Sequence, residues 1–196
     1  MENNVLLREF YLQPTLKVAK ELVGKTLYRK INDRVLSGKI VETEAYLKND
    51  PACHASRGMT ERNKVMFGEA GRAYVYFTYG MHHCFNIVTQ KEGVAEAVLI
   101  RAVEPIEGIE IMRRNRKLRT TNHKPLTNLT NGPAKLCQAF GIDKKLNGVD
   151  MTKGDFVILD SKNNETVKKA TRIGITEYTD KLWRFHNNSE FVSRIS

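Results

Sequence analysis

From Val35 to Tyr46 the chain is apolar at first and then alternates acids with smaller residues, Ile40-Val41-Glu42-Thr43-Glu44-Ala45-Tyr46. Side chains on a strand alternate between two faces, so Glu42, Glu44 and Tyr46 share one face. The apolar lead-in marks the strand as at least partly buried, and a carboxylate there is costly unless something pairs with it or uses it. On these residues alone two readings stand: solvated acids on an edge strand, or a pair held inside for chemistry. The stretch that follows, as far as Gly68, adds His54, Arg57 and Arg62 to the same neighbourhood.

The rest of the chain reads as one domain spanning residues 1–196, a length that buries about 70% of the unfolded surface without disulfide support. Pro14 to Gly24 predicts a helix with Leu16, Ala19, Leu22 and Val23 on one stripe and Gly24 as its stop. Thr26–Ile31 and Val35–Tyr46 are strands around the turn Asn32-Asp33-Arg34. Lys48–Arg72 is a long polar loop, of the kind that is usually functional. Tyr74–Tyr79 and His83–Gln90 form a second hairpin, and Ala97–Val103 a short apolar strand. Pro105 is expected to open a helix carrying Ile106, Ile109 and Met112, which ends in the basic run Arg113–Arg119. A short helix follows Asn131-Gly132-Pro133 and stops at Gly141. Strands are expected near Phe156–Asp160, Ala170–Thr176, Leu182–His186 and Phe191–Ser193. Strands outnumber helices and most connections are hairpins. The expected class is therefore α+β, with a curved, mainly antiparallel sheet, packed helices and a protruding β-hairpin.

Lys and Arg exceed Asp and Glu by ten, for a net charge of +10 and a pI near 9.6. Such a surface suits a polyanion or a membrane. No apolar run approaches the ~20 residues of a spanning helix, and the first residues lack the pattern of a secretory leader, so a cytoplasmic protein is expected. Cys53, Cys84 and Cys137 are odd in number and widely spaced, with no Cys-x-x-Cys pair. Cys53-His54 and His83-Cys84 are adjacent pairs, whose side chains leave a strand on opposite faces. No metal is expected, and the thiols read as small buried residues. No Gly-x-Gly-x-x-Gly follows a strand and no P-loop is present, so no nucleotide cofactor is expected.

Tyr74-Val75-Tyr76-Phe77-Thr78-Tyr79 is dense in rings for a chain that is 8% aromatic. It fits a sheet core; in a basic protein it equally fits faces that stack on bases and a wedge at a hairpin tip. His54 alone reads as a loop histidine. Asn131-Gly132-Pro133-Ala134-Lys135 fits a helix start capped by Asn131, and also an anion site in which Gly132 allows close approach and Lys135 adds charge.

Six blocks occur in order: Glu-Thr-Glu-Ala-Tyr, His-Ala-Ser-Arg-Gly, Thr-x-Arg-Asn-x-x-Met-Phe, Tyr-Val-Tyr-x-x-Tyr-Gly-Met-x-x-Cys-x-Asn, Leu-Ile-Arg-Ala-Val-Glu-Pro and Asn-Gly-Pro-Ala-Lys-Leu-Cys-Gln-Ala. Together, over about Leu16 to Ser193, they resemble the alkyladenine (3-methylpurine) DNA glycosylases, the type without a helix-hairpin-helix. The resemblance implies a base excision repair enzyme that flips a damaged purine out of double-stranded DNA and hydrolyses its N-glycosidic bond. Its implied substrates are 3-methyladenine, 7-methylguanine, hypoxanthine and ethenoadenine. It makes Glu44 the base that activates water, with Glu42 as a structural neighbour. It places Tyr46, His54 and Tyr76 around the flipped base, Asn86 as a screen against unwanted purines, and Tyr79 in the gap left in the duplex. It puts Arg101 near the flipped nucleotide's phosphate and Arg57, Arg62 and Asn63 near the backbone. No Lys falls where a Schiff-base nucleophile would, which implies a monofunctional enzyme, acting as a monomer without a cofactor. The loop between Tyr46 and His54 is shorter than in vertebrate members, and Glu61 stands where Pro is common; both bear on substrate range. A non-catalytic DNA-binding module and a metal-dependent nuclease are the competing readings.

Overall fold

A computed structural model describes residues 4–78, 80–118, 125–161 and 165–193. The fold is α+β, as the sequence leads one to expect. Two N-terminal helices, α1 (Arg8–Tyr11) and α2 (Thr15–Leu22), precede the hairpin of β1 (Thr26–Ile31) and β2 (Arg34–Tyr46). After the long loop come β3 (Ala73–Thr78), β4 (His82–Thr89) and β5 (Glu96–Glu107), then α3 (Ile109–Asn115) and α4 (Pro133–Phe140), and finally β6 (Phe156–Leu159), β7 (Lys168–Ala170) and β8 (Arg184–His186). All paired strands are antiparallel, in the order β3-β4-β5-β2-β1-β6, with β7-β8 attached to β2.

The long strand β2 organises the sheet. One edge pairs with β5 along most of its length. The other edge pairs first with β1 and then, at Glu42–Glu44, with β8. Glu42 and Glu44 are therefore flanked on both sides and fully buried, which rules out solvated edge-strand acids. Around Glu42 the β2–β5 ladder slips twice: Ile40 faces Val103, Glu42 faces Ala102 and Thr43 faces Ile100. The first slip leaves Val41 as an extra residue on β2, and the second leaves Arg101 as an extra residue on β5. A bulge redirects a side chain without breaking the sheet, and the second one turns Arg101 toward the two carboxylates.

The main core lies between the sheet and the helices, around Leu22, Leu27, Ile40, Phe85, Ile100, Leu136 and Phe140. Val18, Ala19 and Leu22 give α2 its buried face, and the Thr43 hydroxyl on β2 donates to the Ala19 carbonyl at 2.7 Å. Thr43 points away from the Glu42/Glu44 face, so α2 covers the opposite side of the sheet. A smaller cluster, including Cys53, Met66, Tyr74 and Val88 with Tyr46 and Tyr76 against it, underlies the long loop.

Three expectations are corrected. Pro105 does not open a helix; it lies within β5, opposite Gly38. The β4 ladder ends at Leu99, so the strand has no second ladder there, and a register shift falls beside Gly38. Those are the conditions under which a strand tolerates proline. The helix starts instead after Gly108, whose φ of 79° is left-handed and whose missing Cβ would meet the Val35 carbonyl oxygen at 2.5 Å. Of Ala170–Thr176, only Ala170 is in a strand, and Phe191–Ser193 is not a strand at all. Both segments instead turn their backbone N–H groups toward buried carboxylates.

Candidate active site

A hollow of about 350 Å³ opens beside the end of β2, within the range of small-molecule pockets. Rings from three places line it: Tyr46 from β2, His54 from the long loop, and Tyr74 and Tyr76 from β3. Asn86 and Cys84 from β4, Leu99 and Arg101 from β5, Pro133 at the start of α4 and Ile173–Ile175 complete the wall. Period 2 accounts for much of this, since Tyr74 with Tyr76 and Cys84 with Asn86 each leave neighbouring strands on one face.

The rings hold one another. His54 Nδ1 lies 2.9 Å from the Tyr74 hydroxyl, and its ring sits 4.3 Å from that of Tyr76 at a steep angle. Burial, together with the Arg62 charge, lowers the His54 pKa, so the imidazole is neutral at neutral pH. Burial pushes the Tyr74 hydroxyl up to about 12. It also raises Tyr46 and Tyr76, so all three phenols stay protonated. Asn63, buried at the base of the loop, donates to the carbonyls of His54 and Gly58 at 2.8 and 3.0 Å and so fixes the loop that carries His54. Asn86 Nδ2 donates to the Tyr74 carbonyl at 3.1 Å.

Glu44 lies behind this wall. One carboxylate oxygen accepts the Ile173 N–H at 2.8 Å and faces Arg101 Nη1 at 3.2 Å; the other accepts the Tyr46 hydroxyl at 2.8 Å. All three partners line the pocket, whereas Glu44 itself is fully buried. A carboxylate offers about four lone-pair directions. The Ile173 N–H and the Tyr46 hydroxyl take one direction on each oxygen, and the Arg101 guanidinium lies against the first oxygen. Glu42 is more fully engaged: it accepts from Arg101 Nε at 3.2 Å, Arg184 Nη1 at 2.9 Å and the Ser193 N–H at 2.8 Å, with the Ser193 hydroxyl bonded as well. Burial works against the charge of Arg101, but Glu44 and Glu42 outweigh it and raise its pKa.

Arg101 is thus a buried bridge between two carboxylates, with one side on the pocket. Arg57 and Arg62 are exposed. Arg62 Nη2 donates to the Phe77 carbonyl at 2.9 Å, and its guanidinium lies 5.4 Å from the centre of the Tyr76 ring, which ties the loop to the β3–β4 hairpin. Tyr79, expected at a hairpin tip, lies outside the described residues. Asn131 does not cap α4. The cap position is Gly132, and Lys135 Nζ donates to Asn131 Oδ1 at 2.8 Å. The Gly132 N–H is turned back to the Thr130 carbonyl, and the helix start abuts the pocket through Pro133.

Sequence reasoning missed several residues. Arg184 and Ser193 secure Glu42, and the Ile173 N–H secures Glu44. Asp50 and Arg172 form a fully buried ion pair behind Tyr46. The signal available for Arg172 and Arg184 was an Arg in each of two otherwise apolar or small-residue stretches, which periodicity does not weigh. Among the described residues, no three His, Cys, Asp or Glu side chains are grouped as metal ligands would be. Cys53, Cys84 and Cys137 are free and buried. No helix among the described residues is long and apolar enough to cross a membrane.

Comparison with known proteins identifies the family. The family model described as methylpurine-DNA glycosylase (MPG) matches residues 9–190. A Carboxydothermus hydrogenoformans protein named "Putative 3-methyladenine DNA glycosylase" is 50% identical over 97% of this chain and 99% of its own. Proteins of the same name from Francisella tularensis and Methanocella arvoryzae are 48% and 47% identical, covering 92% and 97% of this chain and 94% and 96% of theirs. The chain belongs to the methylpurine-DNA glycosylase family and is a DNA glycosylase of base excision repair, a hydrolase of N-glycosyl bonds.

Proposed function

We propose that this enzyme takes a damaged purine out of duplex DNA into the aromatic pocket and releases it with a water activated by Glu44. The observation that carries this reading is a buried carboxylate whose three partners, Tyr46, Arg101 and Ile173, all line a pocket of three tyrosines and a neutral histidine. In a glycosidic cleavage that passes through an oxocarbenium-like state, a carboxylate removes a proton from water and stabilises the growing positive charge on the sugar. Water drawn in from the pocket would donate to Glu44, beside the Tyr46 hydroxyl that bonds it. Tyr46, His54 and Tyr76 would stack on the flipped base, and aromatic faces attract a cationic alkylated purine. Asn86 would screen the purine edge. A cationic base is already a good leaving group, so 3-methyladenine and 7-methylguanine require no strong general acid. Hypoxanthine and ethenoadenine are the neutral lesions the same pocket would admit.

Tyr79 would occupy the gap left in the duplex. Arg62 lies by the Tyr76 ring and Pro133 at the start of α4 lines the pocket; Arg57, Arg62, Gly132 and Lys135 would contact phosphates. Arg101 would serve chiefly to hold Glu44 and to meet the flipped nucleotide from below. Action as a monomer belongs to the same reading. Glu42 and Glu44 are each committed to guanidinium and N–H donors, which disfavours a nuclease that would use them as metal ligands. A non-catalytic DNA-binding module has no need of the buried Glu44.

The test is chromatography of bases freed from alkylated DNA and from an inosine-containing duplex, under single turnover, for the wild type and Glu44→Gln. The rate should fall by about 10²–10⁴, the span of general base catalysis, while duplex binding persists. Near-normal release by Glu44→Gln would remove Glu44 from the mechanism.

A further inference from the structure

The chemistry assigned above makes no use of the Asp50–Arg172 pair. Both side chains are completely shielded from solvent, and a buried ion pair is weak evidence for stability as such. Its contacts are what distinguish it. Asp50 stands in the long loop, where one of its oxygens also accepts the Ala52 N–H at 3.0 Å; the loop goes on to His54. Arg172 Nη1 donates to the Ala45 carbonyl on β2 at 3.1 Å, and Nη2 donates to Asp50 Oδ1 at 3.1 Å. Its guanidinium lies 4.7 Å from the centre of the Tyr46 ring and 5.0 Å from that of Trp183. Arg172 does not line the pocket, so it backs Tyr46 from the side away from it. The next residue, Ile173, gives its N–H to Glu44. One ion pair therefore joins the loop that carries His54, the strand that carries Glu44 and Tyr46, and the C-terminal segment that holds Glu44 in place.

We infer that Asp50 and Arg172 are positioning residues for the hydrolysis, acting through Glu44, whose carboxylate they align with a nucleotide in the pocket. The inference rests on the reading of Glu44 as the base. Lys cannot replace Arg172, because its single ammonium lacks the planar fork that meets Asp50 and the Ala45 carbonyl together and lies flat against a ring. Loss of that fork lets the 171–175 segment move, and with it the donor to Glu44. A displacement of about 1 Å can cost about 10²-fold in rate.

The experiment measures single-turnover base release from an inosine duplex for the wild type, Arg172→Lys, Glu44→Gln and the Arg172→Lys/Glu44→Gln double variant, each checked for a cooperative thermal transition. Arg172→Lys should lower the saturating rate about 10²-fold with half-saturation changed less than about threefold. It should add nothing further in the Glu44→Gln background, because residues that act through one group are not additive. If Arg172→Lys does not fold, Asp50→Asn/Arg172→Gln, which leaves no unpaired charge buried, is read in the same way. The inference is overturned if the folded variant keeps the wild-type rate, or loses the same factor with and without Glu44. Failure of the Glu44 reading looks different: Glu44→Gln itself stays active, whatever Arg172→Lys does.

Discussion

Glu42→Gln tests whether charge or shape holds the buried floor of the site. The substitution keeps volume and one acceptor oxygen, but it replaces the other oxygen with an NH₂ that faces donors. Four groups converge on this carboxylate: Arg101 Nε, Arg184 Nη1 and the N–H and hydroxyl of Ser193. Removing one partner of a buried ion pair costs about 3–5 kcal/mol, because the other charge stays behind unpaired. Here each guanidinium keeps another acceptor: Arg101 retains Glu44, and Arg184 Nε retains the Thr171 carbonyl at 2.7 Å. The lower end, about 3 kcal/mol, is therefore expected. For a domain of this size each kcal/mol moves the melting temperature by about 2–4 °C, so a fall of about 6–12 °C follows. Urea unfolding should show the midpoint falling with the slope unchanged, which marks a loss of stability rather than a change in compactness. Glu61→Gln is the control, since its pair with Lys64 is on the surface, and it should leave the midpoint where it was. A loss of less than about 1 kcal/mol for Glu42→Gln would show that the packing of β2, β5 and β8 holds the floor without the charges, and the reasoning would fail.

Three further outcomes are expected. Tyr79→Ala should slow release from a paired duplex and lose less when the lesion lies opposite a mismatch, where flipping costs less; an unaltered brightening of 2-aminopurine beside the lesion would rule out a wedge at that position. Gly108→Ala should destabilise by at least about 2 kcal/mol in urea unfolding, since it adds left-handed strain to a Cβ placed 2.5 Å from the Val35 oxygen; a change within error would mean that the α3 start shifts freely. His54 has a folded pKa below its unfolded value, so its contribution to stability is present above the unfolded pKa of about 6.5 and is lost as pH falls through the folded one; melting curves for wild type and His54→Gln should therefore converge on acidification, and parallel curves would contradict the shift.

Alternation carried the sequence reading furthest where the fold is also alternating. β1, β2, β3 and β4 fall within a residue or two of their expected bounds, and the shared face of Glu42, Glu44 and Tyr46 holds because both acids bond to Arg101 and Tyr46 bonds to Glu44. The expectations fail where a backbone group is satisfied by a distant side chain. Ala170–Thr176 has the composition of a strand, yet Ile173 gives its N–H to Glu44, 129 residues away, and Ser193 gives its own to Glu42, 151 residues away. No local pattern encodes those partners. Pro105 misleads for a related reason: proline at a helix start and proline on a locally single-paired strand look alike until the neighbouring strands are placed. The Arg101 bulge is invisible too, because a bulge is a property of two strands and only one of them contains the extra residue.

The buried charges also bear on how a strongly basic protein could capture the cationic purine proposed above. Glu42, Glu44 and Asp50 face Arg101, Arg172 and Arg184, and all six are buried. Three carboxylates against three guanidiniums cancel, so the whole net charge of +10 lies outside this cluster. Long-range attraction for a polyanion then belongs to the exterior, where salt screens it, whereas the pocket presents ring faces, a neutral imidazole and the carboxylate-paired Arg101. A surplus guanidinium beneath Tyr46 would repel a cationic purine stacked on the other face of that ring, and Asp50 removes that surplus from Arg172. The same balance leaves Glu44 held by the Ile173 N–H and Arg101 on one oxygen and by the Tyr46 hydroxyl on the other, which in the proposed reaction would keep the carboxylate from swinging away from the sugar.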